Sequence, residues 1–100
     1  MKERYFKKSD GFVEKEIGEE TILVPLVDSV AKMDEVITLN EIGSFIYKKL
    51  TNKKSFSALT REILETYEVS KEDAESDLTD FLNKAIMKKI IFETDQPNRS

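Results

Sequence analysis

Apolar and polar residues alternate with a period of two in the first third of the chain, and from Asn40 onward they recur with the period of a helix. Val13, Lys15 and Ile17 alternate with Glu14 and Glu16, which predicts a strand. Gly18-Glu19-Glu20 is a short polar turn, and the apolar run from Thr21 to Val27 completes a predicted hairpin. Pro25 lacks an amide hydrogen for the ladder, so it must stand at an edge, at a bulge or near the end of pairing. Asp28 to Asp34 read as a polar connection. Glu35 to Leu39 is a third β-prone run, and three strands in succession suggest an antiparallel meander.

Helical spacing then takes over. Ile42, Phe45, Ile46 and Leu50 share one face, and the helix starts either with Thr38 and Glu41 as a capping box or with Asn40 alone. Thr51 to Lys54 interrupt the pattern. A second helix begins near Ser55 or Ser57 and carries Leu59, Ile63 and Tyr67, with Phe56 one turn earlier. The third has the clearest start: Ser70-Lys-Glu-Asp73 is a capping sequence, and Val69 is placed to pack on Ala74. Glu72, Asp73 and Glu75 suit the positive end of its dipole, and Lys84, Lys88 and Lys89 the negative end. Ile90-Ile91-Phe92 forms one more strand or seals the core. The expected fold is α+β and winged-helix-like: a three-stranded antiparallel sheet followed by three helices, with a short C-terminal strand in the first of these cases. Its limits are expected at residues 11–93, after a flexible basic arm (1–10, with Lys2, Arg4, Lys7 and Lys8) and before a disordered tail (94–100) that contains Pro97.

Composition narrows the chemistry more than the fold. The 100 residues suffice for one modest core, and there is neither histidine nor cysteine. The side chains that most readily move protons near neutral pH, act as thiolate nucleophiles or bind zinc are therefore missing. Any catalysis would fall to carboxylates alone. The 20 Asp and Glu are scattered among 16 Lys and Arg, as on solvated helix faces, so an enzyme is not expected and neither is a cofactor. No apolar run approaches the roughly 20 residues that span a bilayer. The charged start, with no apolar region behind it, does not read as a signal peptide. A cytoplasmic binding module is the expectation.

The segment from about Gly11 to Glu93 resembles the PqqD-like family. A strand leading into Thr38-Leu-Asn-Glu-Ile-Gly-Ser-Phe-Ile46 is similar to the family's leucine-asparagine-glutamate-x-glycine start of its first helix. Leu59-Thr-Arg-Glu-Ile63, Tyr67 to Leu78, Phe81-Leu82 and Ile90-Ile91 continue the likeness. The resemblance implies a recognition element for ribosomally made, post-translationally modified peptides, which binds the leader of a precursor peptide and presents it to a modifying enzyme, often of the radical S-adenosylmethionine (SAM) type. It also implies the mode. The leader adds itself as a strand beside the third strand, in a cleft walled by the third helix, where main-chain hydrogen bonds give affinity and side-chain pockets give selection.

Carried onto this sequence, the docking edge is Glu35, Val36, Ile37 and Thr38. On the third helix a turn of 100° per residue puts Ala74, Leu78, Phe81, Leu82 and Ala85 toward the core. Asp77, Phe81, Lys84 and Lys88 then make a stripe along one border, the candidate helix wall. Val27 to Asp34 is longer than the turn common in the family, which leaves the register of the third strand open. Two other uses of the fold compete. A winged-helix regulator would bind DNA, but Glu72, Asp73, Glu75, Asp77 and Asp80 would meet phosphate with repulsion, and Arg4, Arg61 and Arg99 are the only arginines. In an oligomeric module the free edge would pair with its own copy to give a homodimer.

Overall fold

The structure is a computed structural model and describes residues 3–28, 30–31 and 35–94. It opens with a strand where the sequence pattern suggests a flexible arm. β1 (Tyr5–Lys8) pairs antiparallel with β7 (Ile91–Thr94), and its other edge takes the two-residue β6 (Lys54–Ser55). Phe6 is fully buried. Arg4 forms a two-pronged ion pair with Glu93, donating from Nε and Nη2 at 2.9 Å each, and Lys8 Nζ lies 2.8 Å from Glu14. Two of the basic residues that suggest a solvated arm, Arg4 and Lys8, thus find their partners far along the chain or across a turn. The folded unit is accordingly wider than residues 11–93. It includes β1 and Thr94, while Met1, Lys2 and residues 95–100, most of the expected tail, lie outside the described residues.

β2 (Phe12–Ile17) and β3 (Glu20–Val27) form the expected hairpin in continuous register from Phe12 opposite Pro25 to Ile17 opposite Glu20. The turn is made by Gly18, whose φ of 62° suits a residue without a side chain. On the far side of β3, β5 (Ile37–Leu39) pairs with Thr21 to Leu23, and β4 (Val30–Ala31) pairs with Leu26 and Val27. Pro25 falls between those two stretches and opposite the first residue of β2, near the end of pairing as its missing amide requires. The polar connection expected from Asp28 to Asp34 therefore contains a short strand. Asp28 has a φ of 52°, a left-handed conformation that Asp tolerates better than most residues. Residues 29 and 32–34 of that connection lie outside the described residues.

The helices follow their capping signals. α1 (Glu41–Lys49) starts at Asn40, whose Oδ1 accepts from the Gly43 amide at 2.9 Å; Asn40 alone caps it, since Thr38 belongs to β5. α2 (Phe56–Thr66) starts at Ser55 rather than Ser57, and α3 (Lys71–Met87) at Ser70, whose hydroxyl accepts from the Asp73 amide. Ile46, Tyr47 and Leu50, Leu59 and Ile63, and Leu78, Leu82 and Ala85 meet Phe6, Leu23, Ile90 and Ile91 in one core. The strands form two antiparallel sheets, β6-β1-β7, which contacts α2 and α3, and the wing of β2, β3, β4 and β5, which contacts α1. The class is α+β as expected, with the first of these sheets added to the expected meander.

Candidate functional site

A strand edge becomes a binding site only when its surroundings allow one, and the open edges of this fold differ in that respect. β2 presents Glu14, Lys15 and Glu16 to solvent along its length, and charge of this kind guards an edge against further pairing. β5 pairs with β3 on one side, and its other side looks across a cleft at α3. Backbone groups alternate sides along a strand, so those of β5 not bonded to β3 project toward this cleft. The space measures about 370 Å³. Ile37, Thr38 and Leu39 form one wall, and Asp77, Asp80, Phe81, Lys84 and Lys88 form the other. Asn40, Ile42 and Gly43 contribute the start of α1, with further apolar surface from Ala85 and Ile90.

Local packing explains why the walls stand where they do. A side chain added at Gly43 would place its Cβ 3.1 Å from Phe81 Cε1 and 3.3 Å from Asn40 Oδ1. Glycine therefore lets the Phe81 ring lie directly on the first turn of α1. The ring is half-buried; it packs against the core and also lines the cleft. On the other wall, the buried Ser44 hydroxyl donates to Thr21 Oγ1 at 2.6 Å and lies 3.4 Å from the Leu39 carbonyl oxygen. This contact ties α1 to β3 and to the end of β5.

The structure brings six of the eight sequence-predicted residues together: Ile37, Thr38, Asp77, Phe81, Lys84 and Lys88 all line the cleft. Glu35 and Val36 do not. They precede β5, because pairing with β3 begins only at Ile37, and both are exposed beside the strand's entrance. Leu39, Asn40, Ile42, Gly43, Asp80, Ala85 and Ile90 are additional lining residues. Asp80 and Ala85 could have been found from helical spacing, three residues after Asp77 and four after Phe81. The glycine could not, because its role depends on a ring 38 positions away in sequence.

The cleft carries both signs of charge. Asp77 and Asp80 stand toward the N-terminal half of α3 and Lys84 and Lys88 toward its end, with Phe81 between them. None of the four forms an ion pair with another described residue. Among the described residues no group of three or more acidic side chains is placed to hold a metal ion. Among the described residues no helix is long and apolar enough to cross a membrane. A second depression, of about 410 Å³, lies between the Gly18-Glu19 turn and α1 and reaches Tyr67. Its Glu41 carboxyl is held above the usual range, chiefly by a hydrogen bond with Glu19. That depression borders a closed hairpin turn, not an open strand.

Comparison with known proteins places the chain in a family and beside a solved structure. The family described as coenzyme PQQ synthesis protein D (PqqD) matches over residues 20–91, which takes in β3, β5, all three helices and the first residue of β7. Among solved structures, a chain described as TbiB1 in complex with the TbiA(beta) leader peptide matches with a TM-score of 0.72 and 27% identity, over 90% of this chain and 99% of that one. Comparison with curated proteins finds no match.

Proposed function

Because this chain belongs to the PqqD family, we propose that it is a non-catalytic recognition module whose cleft receives the leader of a ribosomally made precursor peptide. The observation that carries this reading is the β5 edge, open onto a cleft with an aromatic and charged helix wall. A peptide laid there as an added strand gains main-chain hydrogen bonds from β5 and places alternate side chains toward α3. The similarity to a chain solved with a leader peptide supports the same occupant. In this reading a separate enzyme of the radical SAM type modifies the bound peptide, and the module supplies position only.

The direct test is a titration of isotope-labelled protein with the leader of the precursor encoded beside it, following backbone amides. Shifts are expected at Ile37 to Leu39, at Gly43 and along Asp77 to Lys88. A flat titration, or shifts confined to β2 and its turn, would overturn the reading. Solution mass at two protein concentrations separates this use of the edge from self-pairing, since a homodimer built on β5 would dissociate when the leader is added.

A further inference from the structure

Resting on that reading, we infer that the cleft selects the direction and charge order of its peptide: a basic residue, an apolar residue two positions later and an acidic residue four positions later. The two ends of the groove can be assigned. β5 runs toward Asn40 and Gly43, and Gly43 lies against Phe81, so the Leu39 end of β5 faces the middle of α3 and its carboxylates. The Ile37 end lies opposite Leu23, from which β3 runs on to pair with Phe12 and to bond with Gly11. Ser9 in the same segment donates its amide to the Ile90 carbonyl, just beyond the end of α3. Ile37 therefore faces the Lys84 and Lys88 end of the groove.

Every strand pair described in this fold is antiparallel, and antiparallel pairing is slightly more stable per residue than parallel. An added strand antiparallel to β5 starts at Asp77 and Asp80 and ends at Lys84 and Lys88. Asp77 to Lys84 spans about 10 Å along the helix axis and Asp80 to Lys88 about 12 Å. Four residues of extended chain span about 13 Å, and residues at alternate positions face the same side. The spacings match, and the middle side chain falls against Phe81 and Ile42. Carboxylates early and ammonium groups late also suit the dipole of α3. The dipole does not explain why these four line the cleft without an ion-pair partner among the described residues.

Two synthetic peptides of the same composition test this, one in the order basic, apolar, acidic at alternate positions and one reversed, each with Ser and Thr between and around. Their affinities for the full chain are measured by fluorescence anisotropy, with the amides of Ile37 to Leu39 as a second readout. The first peptide is expected to bind about tenfold more tightly, the size that several partly screened charge pairs supply together, and to lose that margin in high salt. Reversing the wall by Asp77→Lys, Asp80→Lys, Lys84→Glu and Lys88→Glu is expected to reverse the preference. The single changes Asp77→Lys and Lys88→Glu, both at exposed positions, give the same sign if the fourfold variant does not fold. Equal affinities with β5 amides shifted would overturn the charge order and leave leader docking intact. Absence of any β5 shift with either peptide, where the leader itself shifts β5, would likewise overturn the charge order alone; absence with the leader as well would overturn both.

Discussion

Single residues set the shape of the cleft, and Gly43 is the clearest case. Alanine is the better helix former by about 1 kcal/mol, but its Cβ would press on the Phe81 ring at 3.1 Å. Gly43→Ala is therefore expected to change stability by less than about 1 kcal/mol, because the ring can yield toward the cleft. The same shift narrows the cleft, so leader affinity is expected to fall in the titration while the melting temperature hardly moves. Ser44 works on the opposite wall. Ser44→Ala leaves the buried Thr21 hydroxyl without its donor, and equilibrium unfolding should show a loss of about 1–3 kcal/mol. Tyr47 is buried beneath Lys8, and burial, followed by the charge of Glu14, pushes its hydroxyl up to about 12. The folded state then holds this proton more tightly than the unfolded chain. Its stabilising contribution is complete below pH 10 and is lost as pH rises from 10 to 12, by about 3 kcal/mol in all. Alkaline unfolding should lose this component in Tyr47→Phe.

At the scale of elements, β1 carries more than its sequence suggests. With the two residues before it, β1 reaches two further elements: Lys8 donates its amide to the Leu50 carbonyl at the end of α1, while the Arg4 carbonyl accepts from the Phe56 amide and Glu3 accepts from the Ser57 hydroxyl at 3.0 Å, both in α2. Phe6→Ala is expected to cost about 3–5 kcal/mol by chemical denaturation, as for a buried aromatic, where a flexible arm would lose nothing. Elements with local signals were legible from sequence. The Gly18 turn, the Asn40 cap and the Ser70 capping sequence each lie within a few residues of what they control. β1 was not, because four residues rich in Lys show neither alternation nor caps, and their partners stand at positions 54–55 and 91–94. The start of β5 lies two residues later than the β-prone run suggests, for a related reason. Glu35 and Val36 continue the β-prone run, but only register with β3 decides where pairing begins.

Over the whole molecule, the β6-β1-β7 sheet contacts α2 and α3 and the wing contacts α1, and a cleft on the open strand β5 lies where the wing meets α3. The candidate site was legible to the extent that it depends on helical spacing: Asp77, Phe81, Lys84 and Lys88 fall on one stripe by arithmetic alone. Its other wall depends on strand order, which no local pattern encodes, and there the family likeness supplied what periodicity could not. The central claim is that a leader adds a strand to β5. It is tested most directly by amide hydrogen exchange of Ile37, Thr38 and Leu39 with and without saturating leader peptide. Added-strand docking predicts that exchange slows at whichever of these amides points away from β3, while the amides of β2 keep their rates. Unchanged exchange along β5 in a complex shown to be saturated would contradict it.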